Sequence, residues 1–282
     1  MLRRQRTGSV ICSSCGVLVG VGDDRCYNCG RRNPGLWGFA PMLRSLGHDL
    51  GFVPFVIGTC ATVFVLTLLA SGGNINMQGL FGLLGPSPIA LIIFGATGPE
   101  IVAAGRWWTV LSASWLHGGA LHIVMNMLAV RQLAPAVGEL YGPARMVIIY
   151  TAGGVAGFLL SVVCGLFLPP IPLLGGARGL TIGASACITG LLGAIYHYGH
   201  RGGSSMARSY ALNTIVIVLL QGIFLQGIIN NYAHLGGFGG GYFAARLLDP
   251  LKPERTDHVV IALACLALSI LSIVASVITV FV

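Results

Sequence analysis

Residues 182–199 read IGASACITGLLGAIYHYG, an apolar stretch that opens on the small-residue run Gly183-Ala184-Ser185-Ala186. Its length suits a bilayer interior, whose hydrocarbon core takes roughly 20 helical residues to cross. The one early hydroxyl, Ser185, then lies just inside that core, where a polar side chain is costly unless it has a task or a partner. Stretches of the same kind lie on either side, at Phe52–Ala70, Gly119–Leu140, Ala144–Leu168, Ala211–Ile229, Ala233–Leu248 and His258–Phe281. Seven helical spans are therefore expected, and with them an all-α polytopic membrane protein.

Composition excludes the main alternatives. A chain of 282 residues with 55% apolar and only 9% charged residues, at a mean hydropathy of +0.84, is not a soluble domain. A membrane β-barrel would need short segments alternating apolar and polar residues, and these stretches do not alternate. The 42 glycines suit close approach between membrane helices. No cleavable leader is expected, because the first apolar stretch begins only at Phe52, behind a polar, cysteine-bearing segment. Between the first two spans, residues 71–118 hold Gly72-Gly73, Pro86, Pro88, Pro99 and Glu100. The Ile89–Phe94 run in that connection is too short to cross and reads as partly embedded.

Basic residues give the orientation. With the N-terminus inside, 14 of the 16 Lys and Arg residues fall in inner segments, seven of them in residues 1–51, including Arg3 and Arg44. Only Arg106 and Arg178 fall outside. This bias predicts a cytoplasmic N-terminus, and it accounts for the net charge of +8 without invoking nucleic acid.

Spans 2, 4 and 6 then run from outside to inside, so their opening residues share a depth near the outer face. Those residues are His122 with Asn126, Ser185, and His234. The first two are four apart and share one helical face. The free N–H groups at a helix start beside Ser185 can donate to developing negative charge. Ser185 is a nucleophile only if a base takes its proton, and His234 is the best-placed base because Gly236, Gly237 and Gly241 give its helix a small-residue packing face. His122 and Asn126 would serve as oxyanion donors. None of the eight carboxylates lies inside these spans at that depth, which leaves a dyad whose imidazole is oriented by packing or by a neighbour such as Tyr232 or Asn231. Each residue alone has a plainer account: a membrane serine bonded to its own backbone, a histidine bridging helices, or a His-Asn metal site without thiolate or carboxylate.

Residues 1–34 stand apart. Cys12-Ser13-Ser14-Cys15 and Cys26-Tyr27-Asn28-Cys29 are each followed directly by glycine, Gly16 and Gly30. Two such knuckles read as a zinc ribbon, with four thiolates closing a structural Zn²⁺ site; paired disulfides or a redox motif fit a reducing cytoplasmic face less well. A unit this short needs the metal to fold. Cys60, Cys164, Cys187 and Cys265 are scattered through apolar spans and read as small packing residues. Residues 35–51, with Arg44, form a linker.

Together these residues resemble the rhomboid intramembrane serine proteases. Arg106-Trp107-Trp108-Thr109 and Trp115 to Asn126 are similar to the family's tryptophan-bearing first loop and its H-x-x-x-x-H-x-x-x-N run. Glu139-Leu140-Tyr141-Gly142 with Arg145 resembles its joint between spans 2 and 3. Gly183-Ala184-Ser185-Ala186 resembles G-x-S-G, and Ala233 to Gly241 resembles A-H-x-x-G-x-x-x-G.

The resemblance implies Ser185 as nucleophile, His234 as base, His122 and Asn126 at the oxyanion, His117 supporting a wet recess, and Gly183 keeping the approach to Ser185 open. It also implies single-span membrane protein substrates, cut near the outer edge of their helices, with no cofactor for catalysis. Two positions depart from the pattern. Thr109 stands where many members carry arginine, which leaves Arg106 as the substitute basic anchor, and Ala186 replaces the usual glycine, a change tolerated by size unless it narrows the site.

The expected organisation is a zinc ribbon (1–34), a linker (35–51), a six-helix core (52–250) and an added C-terminal span (251–282). The expected setting is a bacterial inner (plasma) membrane, with the ribbon free to meet a cytoplasmic protein partner. The competing readings are a non-catalytic relative that binds membrane client helices and a small-molecule channel or transporter. The latter lacks in-membrane charge and an evident inverted repeat.

Overall fold

The seven apolar stretches form seven long helices: α1 Phe52–Ala70, α2 Ala120–Tyr141, α3 Pro143–Phe167, α4 Ser185–Arg201, α5 Ser205–Phe224, α6 Asn231–Leu247 and α7 Thr256–Ile278. The computed structural model describes residues 4–13, 15–41, 49–169, 171, 174, 179–225, 228–252 and 254–280. Arg3, residues 42–48 of the linker with Arg44, and Arg178 lie outside the described residues.

Local chemistry sets the helix starts. Helix α5 begins six residues before the expected Ala211, because the Ser204 hydroxyl accepts from the Ala207 N–H and turns the chain into a helix there. Helix α6 begins at Asn231 under the side chain of Asn230, which accepts from the N–H groups of Tyr232 and Ala233. Helix α4 starts at Ser185 rather than Ile182, since Thr181 is held extended in a bridge to Thr97 and Gly183 takes φ 117°.

Five of the seven, α1, α2, α3, α5 and α7, are long and apolar enough among the described residues to cross a membrane on their own. The other two, α4 and α6, have 17 residues each, about 25 Å of helix. These two are the inner helices. Glycine lets them meet: a Cβ at Gly237 would lie 2.2 Å from the Ala186 carbonyl oxygen of α4, and one at Gly241 would lie 2.0 Å from that of Gly190. Gly236 does not join that face, since it abuts the Ala156 carbonyl of α3, so the small residues of α6 serve two neighbours instead of one.

The α2–α3 joint ties several elements together. Tyr141 donates its hydroxyl hydrogen bond to the Ala194 carbonyl of α4, 3.0 Å away. Glu254 accepts from the N–H groups of Ala144 and Arg145 at 2.8 and 3.1 Å, satisfying orphan donors at the start of α3. Burial raises the Glu254 carboxyl above its ordinary value. Arg145 reaches the Asp249 carbonyl and His258 Nδ1, which fastens α3 to the α6–α7 connection.

The 71–118 connection folds into short helical turns, among them Pro88–Phe94, Pro99–Ala103 and Thr109–Ser112. Arg106 is its basic anchor: Nη1 donates to the Ile92 carbonyl at 3.2 Å and Nη2 to the Ser276 carbonyl of α7 at 2.8 Å. The Trp108 indole donates to Ser276 Oγ at 3.1 Å. The added seventh helix is thereby fastened to the first loop as well as packed along α3.

Near the N-terminus, β1 (Ser9–Ile11) and β2 (Leu18–Gly20) pair antiparallel, with Val10 opposite Val19. Cys12, Cys15, Cys26 and Cys29 pack with those two valines into a small core of their own.

Candidate active site

Ser185 is the first residue of α4, and His234 sits in the first turn of α6. Their side chains meet: His234 Nε2 lies 2.9 Å from Ser185 Oγ. The imidazole is 6% exposed, and its Nδ1 has no protein hydrogen-bond partner among the described residues. The expected orienting neighbours do not supply one. Asn231 instead donates to the Leu219 carbonyl, and Tyr232 is buried beside Cys164. Both are engaged by other elements from the same first turn of α6, so packing and the helix itself hold the ring.

His122 and Asn126 line the same recess from α2. His122 Nδ1 accepts from the Gly118 N–H at 3.2 Å, which assigns the proton of the neutral ring to Nε2. That Nε2 faces Gly183, where a Cβ would lie 2.6 Å from it and 3.7 Å from Asn126 Nδ2. Gly183 is thus required twice, by its positive φ and by the imidazole beside it. Asn126 is buried, and its Nδ2 has no protein partner among the described residues. At the head of α4 the first i→i−4 bond runs from the Ile188 N–H to the Ala184 carbonyl. The N–H groups before it, that of Ser185 among them, have no place in the helix ladder.

His117 is fully buried and stacks edge-on against His122 with ring centroids 5.1 Å apart. It supports the His122 ring and does not reach the serine. The Ala186 methyl packs toward Gly157 of α3.

Inspection of the sequence missed the polar groups behind this arrangement. Asn230 Nδ2 donates to Ser161 Oγ at 2.5 Å and to Thr181 Oγ1 at 3.0 Å, and Thr109 Oγ1 donates to Thr97 Oγ1 at 3.0 Å. Asn230 carries a helix-start signal, a cap residue ahead of an apolar run, that could have marked it. The threonines carry none.

The model of the Rhomboid domain family matches residues 104–250, just over half of the chain. The chain belongs to the rhomboid family. It is 35% identical over 160 residues to Rhomboid protease GluP of Bacillus subtilis (strain 168), which covers 56% of this chain and 29% of that protein. It is 32% identical over 177 residues to RHOMBOID-like protein 4 of Arabidopsis thaliana, covering 59% of this chain and 40% of that protein. RHOMBOID-like protein 5 of the same plant is 28% identical over 182 residues, at 61% and 53%. This rhomboid chain therefore spans between about a third and a half of the length of these relatives. Its apolar helices and its family make it a multi-pass membrane protein.

The match begins beyond the four cysteines. Their Sγ atoms all lie within 4.8 Å of one another, with Cys12–Cys29 at 3.8 Å and Cys15–Cys26 at 3.6 Å. Tetrahedral zinc with Zn–S bonds of about 2.3 Å has an S···S edge of about 3.8 Å, so the four thiols fit that ion. All eight cysteines of the chain are free. Gly16 and Gly30, at φ 77° and 70°, donate N–H bonds back to the carbonyls of Cys12 and Cys26 and close each knuckle. Burial pushes the Cys29 thiol up to about 12. At Cys15 desolvation is outweighed by hydrogen bonds involving Val17, Asn28 and the neighbouring thiols, and the value falls to about 6.

Proposed function

We propose that this rhomboid is an intramembrane serine endopeptidase that cleaves single-span membrane proteins through a Ser185–His234 dyad. The observation that carries the reading is the 2.9 Å contact between Ser185 Oγ and His234 Nε2 at the head of two inner helices. A hydroxyl that close to an imidazole can pass its proton to Nε2 as Oγ attacks a carbonyl carbon. The resulting oxyanion would be held by His122 Nε2–H, Asn126 Nδ2 and the Ser185 N–H. His234 then returns the proton to the leaving amine nitrogen as the C–N bond breaks. Water, deprotonated by the same ring, releases the acyl group from Ser185. A relative bearing protease in its name, GluP, supports the reading at family level.

A substrate helix must unwind before its carbonyl can be attacked, because helical backbone is self-satisfied in lipid. Substrates with helix-weakening residues near the cut follow from that requirement. With the N-terminus cytoplasmic, as the basic residues argue, cleavage falls near the outer face of a bacterial plasma membrane. The test is cleavage of a candidate single-span substrate in membranes by wild type and by Ser185→Ala, alongside a fluorophosphonate probe of Ser185. Unchanged cleavage by the variant excludes the assignment; a folded wild type that the probe never labels favours a client-binding relative without catalysis.

For the N-terminal unit we propose one structural Zn²⁺ on Cys12, Cys15, Cys26 and Cys29. Four protein thiolates would close the ion's coordination and leave no position for chemistry, so its contribution is to folding residues 1–34. The ribbon, the linker 35–51, the core 52–250 and the added span 251–282 are then successive units, with the ribbon available to a cytoplasmic partner.

A further inference from the structure

His234 Nδ1 meets no protein acceptor among the described residues, so no third side chain orients the base as in a triad. The ring's place must come from the backbone that carries it. Asn230 controls that backbone. Its Oδ1 caps α6 at the N–H groups of Tyr232 and Ala233, and its carbonyl accepts the His234 N–H at 3.3 Å. The same side chain reaches the other half of the dyad, because Nδ2 donates to Thr181 Oγ1 at 3.0 Å, four residues before Ser185.

Thr181 is in turn fixed from its far side. Its N–H donates to the Thr97 carbonyl at 2.7 Å and its carbonyl accepts the Thr97 N–H at 3.2 Å, while the Gly183 N–H donates to Ala113 at 2.9 Å. The segment leading into Ser185 is therefore pinned to the first loop on one side and to the start of the histidine helix on the other.

We propose that Asn230 and Thr181 form a positioning pair that sets the Ser185–His234 distance, an inference that rests on the serine–histidine reading above. Neither residue touches a reacting atom. Asn230 places the first turn of α6, Thr181 places the entry to α4, and the bond between them fixes one relative to the other. The Asn230–Ser161 bond at 2.5 Å ties the same amide to α3, which holds no dyad residue, and so supplies an internal control.

The test uses the full chain in lipid with a single-span substrate, measuring kcat, KM, the rate of fluorophosphonate labelling of Ser185, and thermal stability. Thr181→Val keeps the shape and loses the acceptor. It should lower kcat and the labelling rate about tenfold or more, with KM within about twofold, since sub-ångström misplacement of reacting groups is costly. Thr181→Ser, which restores the hydroxyl, should recover the wild-type rate, and Ser161→Ala should cost less than Thr181→Val. Asn230→Ser keeps a good cap residue but is too short to reach Thr181, so it should reproduce the Thr181→Val loss even if that variant fails to accumulate. Its loss should not add to that of Thr181→Val in the double variant.

An active wild type whose Thr181→Val and Asn230→Ser variants keep kcat within about twofold would overturn the pair. So would a Ser161→Ala loss equal to that of Thr181→Val, or losses that track thermal stability and are not rescued by serine. A wild type that neither labels nor cleaves would instead remove the dyad reading itself.

Discussion

Helices α4 and α5 are neighbours in sequence and opposites in surroundings. In α4 nearly every residue from Ala186 to Ile195 is buried, whereas in α5 only Ala211, Ile215 and Gly222 are. Helix α5 must face lipid with its own side chains and is long and apolar enough to do so. Helix α4 is shielded by its neighbours and need not cross the hydrocarbon unaided, so it can be short and carry polar groups. Helix α6 is sheltered over its first turn, Asn231 to His234, while Leu235, Phe243 and Leu247 are exposed, and it is α4 and this buried turn that carry Ser185 and His234. In a protein dissolved in lipid, the shielded interior is where backbone and side-chain polarity can be afforded.

The comparison breaks most sharply at the dyad. Ser185→Ala and His234→Ala should each lower cleavage by at least about 10³-fold while leaving the helices folded, because each removes a group on which proton transfer depends. Substrate turnover by purified variants in lipid is the measurement. A polar-to-alanine change on lipid-facing α5, such as Thr214→Ala, should leave turnover within about twofold, since that hydroxyl only back-bonds to the Tyr210 carbonyl. Equal effects at both helices would erase the distinction.

The proposed oxyanion groups come next. Asn126→Ala should reduce kcat by about 10²-fold with little change in KM, as expected for a donor used mainly in the transition state. His122→Ala should cost at least as much, since it also removes the ring that packs against His117 and Gly183. A rise in KM at constant kcat would instead make these residues part of a substrate-binding surface.

Packing sharpens the same contrast on stability. Gly241→Val would force a side chain into the Gly190 backbone, where even a Cβ comes within 2.0 Å, whereas Gly239 has open space around it. We expect Gly241→Val to lose about 1–3 kcal/mol or to fail to accumulate, and Gly239→Ala to be tolerated. Thermal unfolding in detergent, followed by helix signal, reads both.

Part of this was legible in the residues alone. Stretches long and apolar enough to cross announce themselves, so α1, α2, α3 and α7 fell close to their expected bounds, whereas the Ser204 cap moved the start of α5. The candidate site residues stood out because polar side chains are rare in such stretches, which made Ser185, His122, Asn126 and His234 conspicuous. What stayed hidden was anything decided by a three-dimensional neighbour. That Gly236 turns to α3 while Gly237 turns to α4 is a matter of helix rotation, which a run of glycines does not encode. Thr97 and Thr109 sit in the first loop and Thr181 in the α3–α4 connection, neither with periodicity, and nothing in their spacing reveals that they line up behind Asn230. The role offered to Tyr232 and Asn231 failed for the same reason: Tyr232, two residues before His234, points to another face of α6, and Asn231 spends its amide on the Leu219 carbonyl of α5.

The smallest effect on turnover should come from the zinc ribbon, and it tests whether that unit belongs to the periphery at all. The four thiols carry their own small core with Val10 and Val19, and they lie outside the residues matched by the family. Removing one thiolate by Cys12→Ser should abolish bound zinc and unfold the hairpin, since a core this small cannot stand without the ion. Turnover by the membrane core should stay within about twofold, because the dyad and its supporting bonds are built from α2, α3, α4, α6 and the first loop. Metal analysis of wild type and variant, run beside the cleavage assay, separates the outcomes. Equal metal content in the two proteins contradicts the proposed ligand set. Loss of zinc with collapse of turnover would instead mean that the ribbon is coupled through Asp49, Leu50 or Glu254, which line one cavity of about 430 Å³ with Ser13 and Arg31, to the helices that hold the dyad.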